Sequence, residues 1–74
     1  MNSLVLRNGK IILNDVRIGK FERSWDLSPQ AFALPCYDFS CRYNGRFFGG
    51  RVATMDEMRF RINECISEIK RGLR

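Results

Sequence analysis

The stretch that decides the fold is Tyr37-Asp38-Phe39-Ser40-Cys41-Arg42-Tyr43-Asn44-Gly45-Arg46-Phe47-Phe48. Tyr37, Phe39, Cys41 and Tyr43 alternate with Asp38, Ser40, Arg42 and Asn44. A period of two, apolar then polar, is the pattern of a half-buried strand. Asn44-Gly45 then predicts a tight hairpin turn, because both central residues of such a turn take positive φ. A two-residue turn sets the register: Tyr43 opposite Arg46, Arg42 opposite Phe47, Cys41 opposite Phe48. Phe48 thereby joins Cys41, Phe39 and Tyr37 on a core face. Phe47 joins Arg42 and Ser40 on the other face.

Working toward the N-terminus, Asn8-Gly9 predicts another hairpin, between Ser3–Arg7 and Lys10–Leu13. Asn14-Asp15 suits a further tight turn. Val16–Trp25 reads as a longer strand whose phase changes at Gly19: Val16 and Ile18 share one face, Phe21 and Trp25 the other. A phase change at glycine predicts a β-bulge there. The segment from Asp26 to Ala31 reads as a loop, with one helical turn begun by Ser28-Pro29. Pro35 argues against a central strand at its position, since it has no N–H for the ladder.

Toward the C-terminus, Thr54-Met55-Asp56-Glu57 fits a capping box that opens a helix. Met55, Met58, Ile62, Cys65, Ile66, Ile69 and Leu73 fall on one stripe at helical spacing. Lys70 and Arg71 suit the last turn, and Gly72 suits the residue that ends it. The stripe is expected to pack on the sheet. Phe60 lies off the stripe between Arg59 and Arg61, where it either packs against a loop or is exposed for contact. The expected architecture is one α+β domain over residues 1–74. It consists of an antiparallel sheet of four to five strands (residues 3–52) with one helix (54–71) on one face.

Composition narrows the function. The chain has 74 residues, 45% hydrophobic and 28% charged. These are globular values for a single domain. No apolar run reaches the length of a membrane helix, and the N-terminus carries no signal-peptide pattern. A cytoplasmic protein without a membrane association is expected. Thirteen basic residues face eight acidic ones, for a net charge of +5 and a pI near 9.6. Only Lys10, Lys20 and Lys70 are lysines; the other ten are arginines. The planar guanidinium matches phosphates, carboxylates and base edges, so the bias favours an anionic partner, either double-stranded DNA or an acidic protein surface.

Enzyme chemistry finds little footing. Histidine is absent, which removes the commonest general base and metal ligand. Cys36, Cys41 and Cys65 are odd in number and read as buried free thiols, not as a disulfide framework or a zinc site. The glycines around Arg46 lack the lysine and serine or threonine ending of a phosphate loop. Neither a catalytic residue, a metal nor a cofactor is expected.

The segment from Arg42 to Arg51 holds Arg42, Arg46 and Arg51, two phenylalanines and no acid. Arg17, Lys20 and Arg23 are placed on a neighbouring strand. A twisted sheet presenting such residues can enter a DNA major groove. The candidate binding set is therefore Arg17, Lys20, Arg42, Arg46, Phe47 and Arg51. Trp25, Arg59, Phe60 and Arg61 are candidates for contact with a protein partner, because aromatic residues and arginine dominate interface hot spots.

Ile18-Gly19-Lys20-Phe21, Tyr37-Asp38-Phe39, Asn44-Gly45-Arg46 and Ala53-Thr54-Met55-Asp56-Glu57 together carry a resemblance. From Val16 onward the layout resembles the three-stranded-sheet-plus-helix, arm-type DNA-binding domains of phage tyrosine recombinases. Met58 stands where that family has alanine, and the segment from Asp26 to Pro35 is longer than the family's. The resemblance implies DNA contact through the sheet, by Arg17, Arg42, Arg46 and Phe47. The strand–helix order is also similar to the β-β-β-α part of double-stranded RNA-binding domains, without their N-terminal helix. A short chain of this kind is similar to phage and mobile-element accessory proteins, including excisionase-like factors and inhibitors of host defence systems. The expected function is that of such an accessory protein binding double-stranded DNA, as a monomer or homodimer. A non-enzymatic inhibitor or adaptor that docks on a protein complex is the other expectation.

Overall fold

The computed structural model of the chain describes residues 3–26 and 34–72. Five strands are followed by one helix: β1 (Leu4–Arg7), β2 (Lys10–Leu13), β3 (Val16–Asp26), β4 (Leu34–Tyr43), β5 (Arg46–Val52) and α1 (Met55–Lys70). The strands form one antiparallel sheet in the order β1-β2-β3-β4-β5, so each pairs with its neighbour in sequence. The fold is α+β.

Three of the connections are two-residue turns with positive φ at both positions. Asn8 and Gly9 take φ of 52° and 75°, Asn14 and Asp15 take 50° and 67°, and Asn44 and Gly45 take 51° and 75°. This is the type I′ geometry, whose twist matches that of the flanking strands. Asparagine and aspartate enter the left-handed region more readily than other side-chain-bearing residues. The β4–β5 register is the one expected from the turn: Tyr43↔Arg46, Arg42↔Phe47, Cys41↔Phe48.

The phase change in β3 is a bulge. Ile11 pairs with Gly19 and Ile12 with Arg17, leaving Ile18 as the extra residue. The bulge lets both Ile18 and Phe21 pack against the core although their spacing is odd. Phe21 meets Tyr37 edge-on, with ring centroids 6.5 Å apart.

Pro35 lies inside β4, but not at a central position of the sheet. It pairs with Trp25 of β3, but β5 ends opposite Tyr37. Around Pro35, β4 therefore has a neighbour on one side only, and a missing N–H is tolerated on an edge. The strands flanking this connection reach Asp26 and Leu34. The loop and helical turn expected around Ser28-Pro29 lie outside the described residues, as does Leu73 of the helical stripe.

The helix starts and stops as its capping residues dictate. The Thr54 hydroxyl accepts from the Glu57 N–H at 3.1 Å. The Glu57 carboxylate accepts in return from the N–H of Ala53, one residue before the cap, at 3.1 Å. Thr54 and Arg71 are the caps, so the helical residues themselves are Met55–Lys70. Gly72 follows with φ of 75°, and its N–H donates to the Ile69 carbonyl.

One sheet face and one helix stripe make the core. Leu4, Ile11, Leu13, Phe39, Cys41, Phe48 and Val52 meet Met58, Ile62, Ile66 and Ile69. Ile11, Met58, Ile62 and Ile66 are fully buried; removing each such side chain from water contributes about 1.5–3 kcal/mol. The helix approaches β1 at one edge of the sheet and β4 and β5 at the other, so the sheet curls around it. Arg59 ties the two together by donating to the Leu4 carbonyl. Among the described residues, no helix is long and apolar enough to cross a membrane.

Candidate nucleic-acid interface

Strand alternation sorts the remaining side chains. Phe39 and Cys41 point to the helix, so Asp38, Ser40 and Arg42 point away from it. The register carries this open face across to Lys20, Glu22 and Ser24 on β3, and to Phe47, Gly49 and Arg51 on β5. On the other side Lys10 pairs with Lys20, and Ile12 with Arg17. Arg7 pairs with Lys10 and Val5 with Ile12. The open face thus gathers Arg7, Lys10, Arg17, Lys20, Arg42 and Arg51 against Glu22 and Asp38. The helix, with its caps, carries Asp56, Glu57, Glu64 and Glu68 against Arg59, Arg61, Lys70 and Arg71. The helix is balanced in charge, and the excess positive charge collects on the open face.

Five of the six residues expected to bind share this face: Arg17, Lys20, Arg42, Phe47 and Arg51. Arg46 does not join them. It pairs with Tyr43 and so takes the helix-side direction at the turn end of β5. Arg51 is committed within the face. Its Nε donates to Asp38 Oδ1 at 2.8 Å and its Nη2 to Oδ2 at 3.3 Å. The hydrogen bond from Arg51 is the main reason the Asp38 carboxyl sits below its usual range; the Arg51 charge and a bond from Ser24 act in the same direction, against partial desolvation.

Phe47 is 76% exposed, and the Arg42 guanidinium lies over its ring, 5.3 Å from the centroid. Such a contact holds the arginine stem in place while its donors stay at the surface. Arg17, Lys20, Ser40, Arg42 and Phe47 line one shallow hollow. A second hollow runs beside it, past Lys10, Lys20, Glu22, Asp38 and Ser40. Arg17 Nε lies 3.5 Å from the Gly19 carbonyl, a long contact at the bulge.

Arg7 and Lys10 were not singled out by the sequence reading. The signal was present in the Asn8-Gly9 turn, which sets Arg7 opposite Lys10 and out of phase with Leu6 and Ile11. The residues considered for a protein partner lie elsewhere. Trp25 is 52% exposed and sits on the helix side of β3, with the Arg23 guanidinium 5.5 Å from its ring centroid. Phe60 is 67% exposed on the outer side of α1. Arg61 pairs with Glu57 one turn earlier at 3.7 Å. Trp25, Phe47 and Phe60 therefore belong to three different surfaces.

Cys36 and Cys41 point to opposite faces, both buried, and Cys65 is half-buried; all three are free thiols. Desolvation, with a smaller contribution from Cys65, pushes the Cys41 thiol up to about 12. It is neutral at physiological pH and a poor nucleophile. No group of three or more histidine, cysteine or acidic side chains is placed to hold a metal ion among the described residues. Comparison with protein-family models, curated proteins and solved structures finds no match to this chain.

Proposed function

We propose that the chain binds double-stranded DNA through the open face of its sheet. The observation that carries this reading is the segregation of charge. Among the described side chains, six cations lie on the face away from the helix, against two acids, one of which is already paired with Arg51. Phosphates on both sides of a groove would meet Arg17, Lys20, Arg42 and Lys10, and such contacts supply most of the affinity of a DNA-binding protein. Adjacent strands are about 4.8 Å apart, so the β4–β5 hairpin at the sheet edge, with Arg42 and Phe47 on its open face, has the width of a two-stranded ribbon that enters the major groove.

The test is binding of a random 30-base-pair duplex from low to physiological salt. The affinity is expected to fall linearly on a log–log plot, with a slope of about three phosphate contacts or more. Absence of binding at low salt would overturn the proposal.

Phe60 supports a second reading. A large aromatic side chain standing 67% exposed on the outside of a helix suits a protein partner. In that reading the chain acts as an inhibitor or adaptor of a larger complex, Phe60→Ala removes most of the affinity, and salt dependence is shallow.

A further inference from the structure

Phe47 is poorly explained by phosphate contacts alone. Its ring is 76% exposed at the β5 edge of a cationic face, where a polar residue would serve the backbone of DNA as well. Arg42 backs the ring from the neighbouring strand, and two features leave the rest of it open. β5 is the last strand in the sheet order, so among the described residues no further strand flanks it. The next residue on the same face is Gly49, where an added Cβ would come within 2.4 Å of the Phe39 carbonyl oxygen; no side chain can stand there to cover the ring. Beside it lies the hollow lined by Arg17, Lys20, Ser40 and Arg42.

We infer that Phe47 is a stacking platform for an unpaired base, and that the site prefers DNA in which a base is exposed over fully paired duplex. This rests on the DNA-binding reading and deepens it. Every nucleobase has a π-face, and an aromatic ring backed by a guanidinium offers it a flat, preorganised partner. The open ring takes the base, and the cations around the hollow take the flanking phosphates. The charge of the face selects a polyanion, and the ring selects a polyanion that carries flat aromatic groups. A fully stacked duplex offers no base face to the ring. A gap, bulge or single strand does.

The experiment compares three labelled DNAs by anisotropy: a matched 30-base-pair duplex, the same duplex with a three-nucleotide gap, and the 30-nucleotide single strand. The wild-type protein is expected to bind the gapped duplex about tenfold more tightly than the matched one, the order contributed by stacking one base. Phe47→Ala is expected to erase that preference while leaving the salt slope unchanged. Phe47→Trp in a Trp25→Phe background is expected to keep the preference and to lose tryptophan emission on binding gapped or single-stranded DNA. Because Phe47 is exposed, these variants keep the fold, and an unchanged urea midpoint checks it. Equal affinity of the wild type for matched and gapped duplex, or a preference that survives Phe47→Ala, overturns the inference while leaving duplex binding intact. Failure to bind any of the three overturns both readings together.

Discussion

Gly19 and Cys41 are paired across β3 and β4, and an added Cβ at Gly19 would come within 2.2 Å of the Ser40 carbonyl oxygen. The obstacle is backbone, so it cannot rotate away. Gly19→Ala is expected to destabilise the protein by about 1–3 kcal/mol, the cost of overpacking, read as a lower urea midpoint. Charge at single residues gives a second expectation. The Asp38 carboxyl is held below its ordinary value by Arg51, so its ion pair stabilises the fold above the ordinary carboxylate range, about pH 4, and is lost as pH falls through the depressed value. Asp38→Asn should therefore lower the urea midpoint at pH 7, and the difference from wild type should shrink as the pH is taken down to 3. Cys41 behaves in the opposite sense. Its thiol is raised to about 12, so the stability linked to it is complete below the unfolded value near 9 and declines as pH rises toward 12. At the residue scale the sequence reading placed Phe47, Arg42 and Cys41 on their correct faces, because one tight turn determined the register. It paired Arg46 with Tyr43, as the structure has it, yet grouped it with Arg42, which is near it in sequence and opposite in phase.

At the scale of elements, the clearest signals were those with their own local chemistry. The asparagine turns and the Thr54 cap depend only on residues beside them, and all appear where expected. Thr54→Ala removes the acceptor for the Glu57 N–H and is expected to cost about 1 kcal/mol; thermal unfolding by circular dichroism would show it as a lower midpoint. The start of β4 was hidden for the converse reason. Pro35 is a poor strand residue in isolation and is accommodated only because β5 stops opposite Tyr37. The exposure of Phe60 was hidden as well, since helical spacing shows that a residue is off the stripe without showing whether another element covers it.

At the scale of the molecule, the neutral helix covers one face of the sheet, and among the described elements none covers the cationic face. Net charge read from composition could not show this, because the separation arises only when strand register and helix placement are combined. It yields a paired expectation. Arg17→Ala should weaken duplex binding across sequences and reduce the salt slope by about one. Arg61→Ala, on the helix and paired with Glu57, should leave the slope unchanged. Equal effects of the two would mean that DNA is held by overall charge and not by the sheet.

The order of the elements also bears on how the protein is made. Each strand pairs with the one synthesised just before it, so the sheet can grow by local closures, which are fast. Its cover comes last. Until Met58, Ile62, Ile66 and Ile69 leave the ribosome, the nascent sheet presents Leu4, Ile11, Leu13, Phe39 and Phe48 with nothing over them. A chain truncated between Val52 and Met55 and released would be a sheet with a naked apolar face, the kind of species that chaperones bind and that aggregates when they do not.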